Sequence, residues 1–233
     1  MKMYKNEGGF TLVEIMLAMV ISVIVVAAIY AAYISQQRSS TAQEQVAEMQ
    51  QNLRAALELM SREIKMAGYD PDGLGAKITT ATSQELTFRK DNEATGGLNE
   101  LKEIEYSLFD AFQHTTPAAN DGKDDDLARK VTIKLAATPP QTNGRQAVAE
   151  NIEKLEFYYQ LKDGSKTSAP AATQLGEIRA IQISMLAYTD QPDQNYKNTQ
   201  TYTAASGATW GPYNDNIRRR LLITTVQCRN MGL

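Results

Sequence analysis

From Ile15 to Gln37 the chain carries no charged side chain, and a single carboxylate, Glu14, stands at the head of that run. The strongly apolar part, Ile15 to Ile34, is about 20 residues, or about 30 Å as a helix, enough to cross a bilayer. A carboxylate at that position is costly to desolvate unless something answers its charge. In a plain single-pass anchor Glu14 would merely snorkel to the interface. A sequence that keeps the acid there usually has a use for it.

An ordinary secretory signal places its small-residue cleavage site beyond the apolar core. Here Gly8-Gly9 lies before it, behind the short basic leader Met1-Lys2-Met3-Tyr4-Lys5-Asn6-Glu7. Cleavage after Gly9 would remove residues 1–9 and leave the hydrophobic helix on the mature chain. Lys2 and Lys5 favour a cytoplasmic N-terminus, which puts the remainder outside the inner membrane.

Gly9-Phe10-Thr11-Leu12-Val13-Glu14 resembles the processing site of type IV prepilins. That family includes the pilins of type IV pili and the pseudopilins of type II secretion. The resemblance implies that prepilin peptidase cuts between Gly9 and Phe10, and that the new N-terminal residue, Phe10, is N-methylated. It also implies that Glu14 pairs with the Phe10 α-amine of a neighbouring subunit as helices stack in the membrane. Electrostatics agrees, because an intramembrane carboxylate needs a partner and the nearest new cation is the freshly made amine.

Past Gln37 the chain turns polar without helix breakers. Apolar residues recur at Val46, Met49, Leu53, Leu57, Met60, Ile64 and Ala67, steps of three and four that trace one stripe of an amphipathic helix. Good helix formers fill the gaps, and Gly68 stops the run, with Pro71 and Gly73 close behind. A helix from Phe10 to Ala67 would be about 85 Å long. A stripe of only about three heptads that ends at a Gly/Pro turn favours packing on the chain's own head over a coiled coil.

From Tyr69 onward the pattern changes to short alternating or β-branched runs between turn residues. Strands are expected at Glu85–Arg89, Ile104–Phe109, Val131–Leu135, Leu155–Leu161, Ile178–Tyr188 and Arg220–Gln227. Ile104/Tyr106/Leu108, Val131/Ile133/Leu135 and Leu155/Phe157/Tyr159/Leu161 alternate as half-buried antiparallel strands do. Asp163-Gly164 is a hairpin-type turn signal. Pro139 to Gly144 reads as a plain connector. The Gln191–Asn216 stretch, rich in Tyr, Asn, Thr, Gly and Pro, reads either as a contact surface or as a loosely ordered loop anchored by Trp210. The expected fold is α+β: one long spine helix packed on an antiparallel sheet. Its organisation is a leader over 1–9, a transmembrane half-helix over 10–37, an amphipathic half-helix over 38–67 and a β-rich head over 68–233.

The whole arrangement resembles the PilW-type minor pilins and the related minor pseudopilins. The likeness rests on the prepilin start, on Asn52 to Tyr69, on Ile178 to Leu186 and on Arg218 to Asn230. It implies a membrane-anchored minor subunit whose partners are prepilin peptidase, other pilins or pseudopilins, and inner-membrane lipid. Such subunits prime filament assembly and so support adhesion, motility or DNA uptake. A minor pseudopilin, or an adhesive module on a membrane tether, are the alternatives.

Composition argues against other classes. The chain has 233 residues and a net charge of −3, so neither sign of charge points to nucleic acid. Its one cysteine, Cys228, rules out an intrachain disulfide, a departure from many major pilins, and reads as a small buried hydrophobe. The one histidine, His114, has no second histidine to build a metal site or a triad with, and Gly96-Gly97 is an isolated turn. No catalytic or cofactor-binding set assembles, and an enzyme is not expected. Asp121, Asp124 and Asp126, in Asn120 to Asp126, offer hard oxygens that could hold Ca²⁺, but the spacing does not fit an EF-hand loop. A solvated acidic turn is the favoured reading. Arg218-Arg219-Arg220 reads as a salt-bridged strand edge rather than a phosphate contact.

Overall fold

The computed structural model describes residues 9–91, 100–109, 126–135 and 140–232. Helix α1 runs over Leu12–Ile64, 53 residues. The chain divides into two compact units, Met1–Glu44 and Gln45–Leu233, and α1 contributes to both.

In the first unit α1 contains a stretch long and apolar enough to cross a membrane, with none of it buried. Its side chains, from Phe10 and Leu12 to Tyr33, stand open on every face. A helix apolar all round suits lipid, because no one side is reserved for a protein core.

In the second unit the stripe turns inward. Met49, Leu53, Leu57, Met60, Ile64 and Ala67 are all buried, and Val46 packs at the margin. Ala56 is buried with them, at the i+3 step from Leu53, where only a small side chain lets the helix approach the sheets.

The described residues of the head form two large antiparallel sheets. The first is built from β1 (Ile78–Ala81), β2 (Leu86–Asp91), β3 (Glu100–Phe109), β4 (Asp126–Leu135), β5 (Gln141–Thr142) and β6 (Gln146–Ala149). Its order is β1-β2-β3-β4, with β5 and β6 both pairing β4. The second is built from β7 (Ile152–Leu161), β8 (Lys166–Thr167), β9 (Ile178–Tyr188) and β12 (Arg219–Gln227), in the order β12-β9-β7-β8. A small hairpin, β10 (Tyr202–Thr203) with β11 (Thr209–Trp210), stands apart from both. The helix stripe shares one core with Ile78, Phe88 and Ile104 of the first sheet and Phe157, Ile181 and Met185 of the second.

Each expected strand is present, β9 with the expected bounds and the others longer by one to five residues. Asp163-Gly164 closes the β7–β8 hairpin, with Tyr159 opposite Thr167. The connector expectation fails at Gln141-Thr142, which pairs with β4 at Ile133 and Thr132. A two-residue strand carries no periodicity of its own, so only the neighbouring strand's free edge defines it. Alternation in β4 is also displaced: Leu127 and Val131 are buried, whereas Ile133 is half-exposed.

Helix α1 stops at Ile64, three residues short of the expected Ala67, and gives way to a turn over residues 65–68 with i−3 bonds. At its close Gly68 has a φ of +76° and donates its N–H to the Arg89 carbonyl at 3.0 Å. A Cβ there would lie 2.7 Å from Met231 Sδ. Gly68→Ala should therefore lower stability by about 1–2 kcal/mol, read as a shift in the urea midpoint of the full chain in detergent.

Candidate functional site

Thr11 is the residue before the first turn of α1, and Glu14 is the third within it. The Thr11 N–H and hydroxyl both donate to Glu14 Oε2, at 2.8 and 2.9 Å, and the Glu14 N–H donates back to Thr11 Oγ1 at 3.3 Å. This is a capping box: the hydroxyl and the carboxylate satisfy each other's otherwise orphaned backbone donors. The single chain thus answers part of Glu14's hydrogen-bonding demand, and among the described residues no opposite charge pairs with it. The Thr-x-x-Glu spacing, Thr11 to Glu14, is by itself the sequence signature of the box.

Phe10 is 85% exposed and lines a shallow groove with Glu14, Ile15, Ala18 and Ser22. Ala18 and Ser22 are small and one turn apart, and the Ser22 hydroxyl is satisfied by the Ala18 carbonyl at 2.7 Å. Small residues at that spacing let another helix come close. Gly9 and Phe10, the expected cleavage and methylation positions, and the acid Glu14 thus fall together at the start of α1.

The second unit has its own acid on the helix. Glu63 accepts two hydrogen bonds from the Arg129 guanidinium, at 2.6 and 2.9 Å, and one from the Tyr106 hydroxyl at 2.5 Å. Tyr106 and Arg129 are cross-strand neighbours on β3 and β4, so one carboxylate ties α1 to two strands. Burial alone would push the Glu63 carboxyl up, but the hydrogen bonds from Arg129 and Tyr106 outweigh it and hold it below its ordinary value. The same burial and the adjacent Glu63 charge push the Tyr106 hydroxyl up. Sequence reading had no route to this triad, because its members are 43 and 66 residues from Glu63.

The Gln191–Asn216 stretch is docked, not loose. Ser206 donates its N–H and hydroxyl to the Glu156 carboxylate, and the Ala205 N–H donates to Ser184 Oγ at 2.9 Å. Glu156 and Ser184 face each other across β7 and β9, so this stretch covers the outer face of the second sheet and buries both. Asn198, fully buried, donates to the Ile217 carbonyl and to the Tyr202 hydroxyl, at 3.1 Å each. Trp210 is half-buried on β11, paired with Tyr202.

Two of the three arginines behave as the expected salt-bridged edge. Arg218 donates to Asp193 and stacks over the Tyr196 ring at 4.3 Å. Arg219 bonds Glu153 and Asp215 and stacks over the Tyr213 ring at 3.8 Å. Burial and the nearby Glu153 charge push the Tyr213 hydroxyl up to about 12. Arg220 is exposed and has no ion pair among the described residues.

Cys228 is buried, and desolvation pushes its thiol up to about 12. A maleimide should leave the folded chain unmodified at pH 7 and label it in urea, read by intact mass; rapid labelling of the folded chain would contradict that burial. His114, Gly96-Gly97, the leader residues 1–8, and Asp121 and Asp124 lie outside the described residues. Asp126, the remaining calcium candidate, is buried at the start of β4. Among the described residues no group of acids, histidine and cysteine is arranged to hold a metal ion.

The family model for the Type IV Pilus-assembly protein W matches residues 118–230, and that for the prokaryotic N-terminal methylation motif matches residues 4–30. Among solved structures, Type IV-like pilin TTHA1219 from Thermus thermophilus aligns with a TM-score of 0.52 at 15% identity, covering 78% of this chain and 98% of its own. At that identity the likeness is one of fold. No curated protein matches the chain. An apolar N-terminal helix, packed in its second half on an antiparallel sheet head and carrying the methylation motif, is the build of a type IV pilin. Over residues 118–230, just under half of its length, the chain is similar to the family of the Type IV Pilus-assembly protein W.

Proposed function

We propose that the chain is a minor subunit of a type IV pilus-like filament. It is held in the inner membrane by residues 10–37 with its head on the outer side, and it is released for assembly when prepilin peptidase removes residues 1–9 and methylates Phe10. The observation that carries this reading is that Gly9, Phe10 and Glu14 fall within six residues at the head of a lipid-suited helix. The capping box holds Glu14 in the monomer. On assembly, the α-amine of a neighbour's Phe10 supplies the missing charge, with Ala18 and Ser22 leaving room for the approaching helix. The chain acts by assembling, in priming the filament and so in adhesion, motility or DNA uptake, and catalyses nothing.

Peptides of the head should be found by mass spectrometry in filaments sheared from cells, well below the level of the major subunit, and deleting the gene should reduce filament number. A chain confined to the membrane fraction, with filaments unaffected and protein secretion lost, would instead assign it to a type II secretion pseudopilus.

A further inference from the structure

Open sheet edges invite pairing with other chains, and natural proteins blunt them by shortness, bulges or charge. Four edges of this head follow the rule. β1 has four residues and an irregular register between Ile78 and Thr80. β5 and β8 have two residues each, and β6 has four with a register break at Leu127/Ala128.

β12 does not. It is nine residues long, lies at the end of the second sheet, and pairs β9 one to one from Arg219 opposite Tyr188 to Gln227 opposite Ala180. From Leu221 to Gln227 it is uncharged, without proline or glycine, and rich in β-branched residues. Ile223, 43% exposed, is the only large aliphatic side chain standing open among the described residues beyond Tyr33.

The direction of the backbone groups follows from the ends of the strand. The Thr189 N–H donates to the Arg218 carbonyl, and the Cys228 N–H to the Arg179 carbonyl. Both are hydrogen-bonded pairs in the unbroken register, so the even-numbered residues between them face β9. Leu221, Ile223, Thr225 and Gln227 therefore turn both N–H and C=O outward, and no described residue hydrogen-bonds those groups. Arg218 and Arg219 are neutralised by Asp193, Glu153 and Asp215, while no described residue forms an ion pair with Arg220.

We propose that β12 is an acceptor edge for strand addition, and that its occupant is an extended segment of another protein with a carboxylate three positions from a branched aliphatic residue. That spacing places the acid opposite Arg220 on one face of the new strand and the aliphatic side chain opposite Ile223 on the other. Main-chain bonds to Leu221, Ile223, Thr225 and Gln227 supply affinity, and the two side-chain contacts supply choice of partner. The inference goes beyond the pilin reading and does not depend on leader processing.

The test is residue-resolved amide exchange on the full chain in detergent micelles, with a synthetic nine-residue peptide as probe. The peptide alternates threonine and valine and carries one glutamate three positions from one isoleucine. At millimolar concentration it should slow exchange at Ile223 and Thr225 by roughly tenfold and leave the inward-facing Leu222 and Thr224 unchanged. A glutamine-for-glutamate peptide, or Arg220→Gln, should weaken the effect several-fold. A peptide N-methylated on alternate amides should abolish it. Outward amides untouched by the peptide would overturn the proposal, as would equal protection by the N-methylated or uncharged peptide. Outward amides already slow without any peptide would also overturn it, since the chain itself or a second copy would then hold the edge.

Discussion

Glu14→Ala should leave membrane insertion and leader removal intact and lower the chain's recovery in sheared filaments by roughly tenfold or more, a discrimination that one lost charge pair readily supplies. The apolar run that would drive insertion is untouched by the change, and the proposed cut after Gly9 lies upstream of it. The alanine variant, however, loses two things together: the charge that answers a neighbour's amine and the carboxylate oxygens that close the capping box with Thr11. Glu14→Gln separates them. Glutamine still accepts from the Thr11 N–H and hydroxyl, so the cap survives without the charge. The cross-subunit pairing predicts that the glutamine variant fails to incorporate nearly as badly as alanine. Incorporation at the native level by Glu14→Gln would reduce Glu14 to a helix cap.

Arg129→Met should lower head stability by about 3 kcal/mol, because it leaves the Glu63 carboxylate in a largely buried place with the Tyr106 hydroxyl bonded to it and only the more distant charge of Lys102 to answer its own. The same contact predicts how stability depends on pH. Glu63 lies below its ordinary value in the folded chain. It therefore stabilises fully above the unfolded carboxyl value of about 4.3 and loses that contribution as pH falls through the lower folded value. Urea midpoints measured from pH 7 down to pH 3 should fall steeply in the native chain and less steeply in Arg129→Met. Equal slopes would mean that other carboxylates held low by partners, such as Asp193 and Asp215 beside Arg218 and Arg219, carry the acid loss.

Much of this molecule is legible along the chain. The buried face of α1 is written in steps of three and four from Val46 to Ala67, because a helix meets its core at that period. The long strands β3 and β7 are written in alternation, because the sheet faces differ in what covers them. What escapes is structure whose cause lies elsewhere in the sequence. β5 exists because β4 offers it an edge, and β10 and β11 have two residues each, too few for a period. Ile133 continues the alternation of Val131 yet is half-exposed, while Arg129 on the same face turns to Glu63, because an acid on the helix asks for a cation there. The Gln191–Asn216 stretch looks loose by composition, but Glu156 and Ser184, polar residues on a sheet face, hold it down. At the N-terminus the order is reversed. The proposed processing and assembly positions Gly9, Phe10 and Glu14 form a local motif, whereas the partner proposed for Glu14 belongs to another copy of the chain.

Mass spectrometry of the N-terminal peptide, on the chain purified from membranes and from sheared filaments, tests the account most directly. A single mature form beginning at N-methylated Phe10 is the predicted result in both fractions. A chain that still begins at Met1 wherever it is found would remove the amine that Glu14 is said to meet, and the assembly mechanism with it.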